Sequence, residues 1–196
     1  MTQFFKILKH ILTSNYYDTN DLDKGKDHII KTNKTKITLA TTRNQKNNAD
    51  NNITSINIGQ CENLLREYYN LTNRDILYIK IIEVIQEGMR IPKIEYDVYS
   101  KLHGTNLTKL NATICKNTKI TLSIPVIINE AIDKLNSSSG YFNNICYKST
   151  SNYGTDISLK DRREDFINKN QTVCQDDCDF INYNFTTQKA NCSCKF

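Results

Sequence analysis

Apolar positions are spread unevenly along this chain, and their spacing predicts a β-rich fold preceded by a polar lead-in. ITSINIGQ (Ile53 to Gln60) alternates apolar with polar residues, the period of a strand with one buried face. In CENLLREYYNLTN, Leu64, Leu65, Tyr68 and Tyr69 recur at spacings near 3.6, predicting a short amphipathic helix that Asn70 and Asn73 suit as an end. DILYIKIIEVIQEGMRIPKIEYDVYSKL contains two β-branched and aromatic runs separated by Gln86-Glu87-Gly88. This is the pattern of an antiparallel hairpin, with Ile94, Tyr96 and Val98 opposed to Glu95, Asp97 and Tyr99, and with Pro92 at the entry to the second strand. Leu107 to Cys115 and Lys119 to Ile128 read as a further strand pair linked by the polar turn CKNT. Asn129 to Leu135 suits one helical turn, NSSSG a loop, and ISLKDRREDFINKN has helical spacing.

The first quarter differs. SNYYDTNDLDKGKDHIIKTNKTKITLATTRNQKNNADNN is rich in Asn, Asp and Lys and holds few apolar groups to offset the entropy of ordering. One strand, Thr35 to Ala40, is expected inside it, and Asn44 to Asn52 reads as an exposed loop. Ahead of it, Phe4, Phe5, Leu8, Ile11 and Leu12 fall on one face of a helix of about three turns. Lys6, Lys9 and His10 interrupt that run and no small-residue cleavage pattern follows, so it is not a usable signal peptide; a docking helix, or the arbitrary start of a fragment, is the expectation, ahead of a membrane-surface helix. The predicted class is therefore α+β and β-rich, an antiparallel sheet or sandwich with two or three short helices and a small disulfide-rich C-terminal subdomain. The expected divisions are 1–52 as a polar, partly disordered lead-in, 53–135 as β-rich core and 136–196 as the cysteine-rich C-terminal subdomain.

Composition narrows the chemistry. The hydrophobic fraction is 38% and Trp is absent, but Ile is abundant and concentrated after Ile53, so a true core is available. The net charge of +5 comes from scattered Lys and Arg, with no basic run and no basic stripe interleaved with aromatics, which argues against nucleic acid as a partner. No apolar run reaches the length of a membrane span.

The seven cysteines are Cys61, Cys115, Cys146, Cys174, Cys178, Cys192 and Cys194. Cys174 and Cys178 would share a face of a helical turn, and Cys192 and Cys194 a face of a strand. Two such pairs can meet as two disulfides or converge on one tetrahedral zinc. Context favours disulfides. Asn-X-Ser/Thr sequons occur at Asn33, Asn52, Asn70, Asn106, Asn111, Asn136, Asn170 and Asn184, and also at Asn191, where a cysteine in the middle makes it a poor acceptor. That is about twice the roughly four expected by chance in so Asn-rich a chain, and it points to the secretory pathway. The single-residue gap of CSC is also unusual for zinc. We assign Cys61 to Cys115 and give the tail its own bridges. The odd cysteine then has its partner on another chain or in a segment outside this one. The alternative is an intracellular adaptor with Cys174, Cys178, Cys192 and Cys194 on zinc.

Tests for catalysis find no enzyme and no cofactor site. In DISLKDRRED, Asp156 and Asp161 lack calcium-loop spacing, and opposite charges at i, i+3 and i, i+4 suit an exposed helix. His10, His28 and His103 are isolated from one another, and Asp176-Asp177 suits a solvated loop. No His-Glu-X-X-His, phosphate loop or Gly-X-Ser-X-Gly elbow is present.

The phrases IPKIEYDVY, LNATICKNTKITLSIPV, SSSGYFNNICY, GTDISLKDR and TVCQDDCDF…KANCSC together resemble a cysteine-rich module of large surface proteins of A+T-rich microbial eukaryotes, over roughly Ile56 to Cys194. Residues 1–52 do not match it. The resemblance implies a secreted or membrane-anchored ectodomain piece, disulfide-rich with epidermal-growth-factor-like segments, whose anchor lies downstream of CSC; it carries over no catalytic residue. The expected function is a non-enzymatic, glycosylated extracellular or cell-surface module with a structural or binding role. Its expected partner is a protein or glycan, and it would meet a membrane only through that anchor.

Overall fold

A computed structural model describes residues 17–47, 50, 52–102, 104–168 and 172–196. The amphipathic run of the first fifteen residues, His10, His103 and Asn170 lie outside these. Among the described residues the chain is α+β, with nine strands in two antiparallel sheets. The first sheet has the order β1 (His28–Lys31), β2 (Thr35–Thr41), β4 (Leu77–Val84), β5 (Lys93–Ser100) and β6 (Thr108–Lys109). The second runs β3 (Ser55–Asn57), β7 (Lys119–Pro125), β9 (Lys189–Lys195) and β8 (Cys178–Asn184). The helices are short: α1 (Asn20–Asp23), α2 (Thr42–Lys46), α3 (Gln60–Tyr68), α4 (Gly140–Asn143) and α5 (Leu159–Asn168).

The period-2 pattern explains why these sheets share one core. Ile79 and Ile81 of β4, Ile94 and Val98 of β5, Ile120, Leu122 and Ile124 of β7, and Ala190, Cys192 and Cys194 of β9 are buried in a single cluster. Each large aliphatic side chain removed from water there contributes about 1.5–3 kcal/mol before entropy is counted. The opposite face of the first sheet carries a smaller cluster, Leu22, Leu39, Tyr78 and Tyr99, under α1.

The expected hairpin is β4–β5, paired from Leu77 with Ser100 to Val84 with Lys93, and Gly88 sits at φ +76° in its connection. The second expected pair does not form. Residues 107–115 supply only two-residue β6 to the first sheet and then a 3-10 turn, Ala112–Cys115, capped by the Asn111 side chain, which accepts from the Thr113 N–H at 3.1 Å. That turn carries the chain across to β7 in the other sheet. Helix α3 also turns differently from expectation: it buries Cys61 and Leu65, half-buries Tyr69 and leaves Leu64 and Tyr68 exposed. Its buried stripe starts one turn earlier because Cys61 is drawn inward by its bond to Cys115.

The lead-in is more ordered than its composition suggests. β2 is an interior strand, paired with β1 on one side and β4 on the other, and Ile37, Leu39 and Ala40 are buried. The stretch read as a loop from Asn44 begins inside α2, whose Gln45 is buried and accepts the Ile56 N–H at 3.2 Å. The cysteine tail likewise joins the core: β9 pairs with β7 along its whole length and with β8 on its other side.

Candidate functional site

One concave feature lies at the end of the first sheet where β2 finishes and β4 begins. It is a cleft of about 470 Å³ between the turn after α1, helix α2 and helix α3. Local sequence builds each wall. Thr41 caps α2 by accepting the Asn44 N–H at 3.1 Å. The Asn44 side-chain amide donates to the Gly25 carbonyl at 2.5 Å and to Asp27 at 2.9 Å, so it fastens the 22–27 turn to the helix. Gly25 stands at φ +89°, a left-handed conformation that the turn requires and that a side chain disfavours.

The floor is an ionic network. Glu62 of α3 accepts Lys46 of α2 at 2.8 Å and, one helical turn on, the Arg66 guanidinium at 2.9 and 3.3 Å. Arg66 also donates to the Thr72 and Asp75 carbonyls at 2.8 and 2.9 Å, which holds the loop after α3. Asp75 in turn accepts the Thr72 N–H and hydroxyl. On the far side, Asp23 accepts the Tyr78 hydroxyl at 2.6 Å, Thr19 at 3.0 Å and Lys101 at 3.3 Å. Burial alone would raise Glu62, but the hydrogen bonds and charges of Lys46 and Arg66 outweigh it and hold the carboxyl below its ordinary value. Asp23 is lowered in the same way: burial acts upward, and bonds from Tyr78, Thr19 and Lys101 prevail. Tyr78 is correspondingly raised by burial and by its bond to Asp23. Asp23 and Glu62 are thus committed to donors already present. The exposed cations Lys24 and Arg43 on its rim are in no ion pair among the described residues.

A second, smaller cleft of about 370 Å³ lies beside α4 and α5. Its notable group is Arg162, 1% exposed, from the segment read as a solvated charged helix. The guanidinium lies against the rings of Tyr141 and Tyr147 at 5.3 and 5.6 Å. It also donates to the carbonyls of Ser158, Tyr147 and Asn144 at 3.2–3.4 Å. Of the carboxylates weighed for chemistry in that segment, Asp161 lies in the first turn of α5, where Ser158 caps the helix by accepting the Asp161 N–H at 3.2 Å and donates its hydroxyl to the Asp161 carboxylate at 2.8 Å, and Asp156 forms a single β-bridge with Thr150. His28 lies on edge strand β1 with its ring bonded to Tyr17. Asp176 and Asp177 are exposed in the turn before β8.

Three disulfides join Cys61 to Cys115, Cys174 to Cys192, and Cys178 to Cys194. This corrects the zinc alternative. Sulfurs bonded to each other in pairs offer no thiolates, and among the described residues no group of His, Cys, Asp and Glu is placed to hold a metal. Cys192 and Cys194 do share the buried face of β9, but Cys174 to Cys178 is a turn with Asp177 at φ +65°, not a turn of helix. Cys178 is the direct cross-strand neighbour of Cys194. Cys146 is unbonded and exposed. It sits in the turn 144–147, whose first and last carbonyls are the ones Arg162 holds.

The sequon asparagines Asn33, Asn52, Asn70, Asn106, Asn111 and Asn184 are all exposed, Asn136 is half-buried, and none lies within a regular helix or strand interior. Asn191 is different: it sits mid-strand in β9, accepting from Ser123 at 2.6 Å and donating to Asn182 at 2.7 Å. Sequence reasoning missed the cleft residues altogether. Its one readable trace was the i, i+4 pair Glu62 and Arg66, because Lys24, Arg43 and Lys46 are brought to α3 only by the fold. Among the described residues no helix is long and apolar enough to cross a membrane. Comparison with protein-family models, with curated proteins and with solved structures finds no match.

Proposed function

We propose that this chain is a non-enzymatic, N-glycosylated module of an extracellular or cell-surface protein, serving a structural or binding role. The observation that carries the reading is the set of three disulfides, Cys61 with Cys115, Cys174 with Cys192 and Cys178 with Cys194. Such bonds persist in oxidising compartments and are reduced in the cytosol. Two further features support it. Six sequon asparagines stand exposed at turns and loop ends, where a glycan can be attached without unfolding a strand. The cleft carboxylates Asp23 and Glu62 are both saturated by neighbouring donors, which suits binding better than acid–base work.

Non-reducing mass spectrometry of the protein isolated from its native cells, with and without glycosidase, tests this. Three intact bridges, Cys146 outside them and glycan mass released from several of the exposed asparagines are expected. Free thiols at the six paired positions, together with no glycan, would reject an extracellular module.

A further inference from the structure

We propose that the cleft between α1, α2 and α3 is a binding site for an acidic polysaccharide, one whose sulfate or carboxylate groups lie across Lys24 and Arg43. The assignment takes the ligand's polysaccharide nature from the surface-module reading above; its charge follows from the cleft alone. The argument begins with which groups are already used. Glu62 is shared by Lys46 and Arg66, Asp75 accepts from Thr72, and Asp23 is surrounded by Tyr78, Thr19 and Lys101. None of them is free to draw a cation into the cleft.

What remains uncommitted at the rim is positive. Lys24 and Arg43 flank in sequence the two residues of the Asn44–Gly25 hydrogen bond, and both line the cleft as exposed cations. The nearby carboxylate of Asp27 accepts from Asn44 and does not line the cleft, and Asp21 is paired with Lys26 at 3.2 Å. Two cations lining one cleft and in no ion pair among the described residues offer an anion two charge contacts. Lys46 and Arg66 line the same cleft and share the charge of Glu62, so the lining carries four cations against the three carboxylates of Asp23, Glu62 and Asp75. The exposed amides of Asn63 and Asn73 line the same cleft and offer neutral donors and acceptors to hydroxyl groups. A chain of hydroxylated rings carrying repeated anionic groups uses every one of these features. A neutral sugar leaves the cations unused, and a lone small anion leaves the amides and most of the 470 Å³ unused.

The test compares two double variants of the whole chain, Lys24→Glu/Arg43→Glu at the cleft and Lys148→Glu/Lys160→Glu on exposed surface away from it. Each exchanges two bases for two acids and so lowers the net charge by four, from +5 to +1. Binding of a heparin octasaccharide and of a hyaluronan octasaccharide is measured by calorimetry at low salt, with a neutral dextran oligosaccharide as control. The wild-type chain is expected to bind at least one acidic octasaccharide and not the dextran. Preference between the two separates sulfate from carboxylate recognition. The cleft variant should lose on the order of tenfold in affinity for each charge contact removed, while the remote variant stays within about twofold of wild type. No binding of either acidic oligosaccharide, or equal loss in both double variants, overturns the proposal. Such a failure leaves the bridges and glycans measured by mass spectrometry untouched, so the two readings fail separately.

Discussion

The lead-in through Lys46 and the tail from Cys174 do the same structural work with opposite means. Each is poor in large aliphatic residues, and each supplies two strands that complete a sheet: β1 and β2 for the first, β8 and β9 for the second. The tail is fastened covalently, with Cys174 tied to Cys192 and Cys178 to Cys194. The lead-in has no cysteine and is fastened by small polar groups in the right places. Thr41 caps α2, Asn44 clamps the 22–27 turn, Asp23 accepts from Tyr78, and Lys36 meets Glu83 of β4 at 2.9 Å while Thr54 donates to the same carboxylate at 2.5 Å. A polar segment can therefore be an interior part of a fold when its polar atoms find partners, whereas apolar content alone undercounts it.

The sharpest way to break the comparison is to remove both tail bridges with Cys174→Ala, Cys178→Ala, Cys192→Ala and Cys194→Ala. Loops of 18 and 16 residues each contribute about 3 kcal/mol in the chain-entropy view, and because they overlap the joint loss should be about 4–5 kcal/mol by denaturant unfolding. Amide exchange in β8 should quicken most, with β1–β2 protection much less affected; equal loosening of both regions would show that they are one cooperative unit. Next in size, Leu39→Ala empties part of the small cluster under α1 and should cost about 3 kcal/mol, with the first sheet's outer strands exchanging faster and the tail unchanged.

Acid should separate the regions by chemistry. Asp23, Glu62 and Asp97 all have folded-state carboxyls held below their ordinary values; for each, burial acts upward and is outweighed by bonds from donors, those of Asp97 coming from Lys109 and Lys80. The unfolded chain therefore binds protons first as pH falls. The stabilisation from these pairs is complete above the unfolded carboxyl value of roughly 4 and is lost as pH drops through the folded values. Stability measured from pH 6 down to pH 2 should decline below about pH 4, with the lead-in exchanging before the tail, whose disulfides do not titrate. A flat profile would mean these ion pairs contribute nothing. The smallest effect is expected from Asn44→Ala, which deletes the clamp on the 22–27 turn. It should cost about 1 kcal/mol and loosen α1 without altering the tail.

Legibility followed the same division. The β4–β5 hairpin was readable because β-branched alternation and Gly88 act through neighbours in sequence. The bond between Cys61 and Cys115 and the two tail bridges were anticipated in kind, while the choice of Cys174 with Cys192 and Cys178 with Cys194 came from the β8–β9 register. The expected pairing of 107–115 with 119–128 failed because the first segment leaves for the opposite sheet after two residues, a decision made by Asn111 and Cys115 rather than by alternation. Arg162 was read as solvated because its charge pattern fits an exposed helix; its burial depends on rings from Tyr141 and Tyr147 that pattern cannot place beside it.

What the sequence determined by itself was local: strand against helix, the turns at glycine and asparagine, the disulfide bonding of most cysteines and the exposure of most sequons. Those properties come from backbone preference and from period-2 or period-3.6 burial, which act over a few residues. Only the tertiary structure decided that a polar lead-in becomes an interior strand, that α3 buries Cys61 in place of Leu64, and that Lys24 and Arg43 line one cleft. Each of these depends on partners tens of residues away, and the energy that selects them exists only once both sheets have closed on their common core.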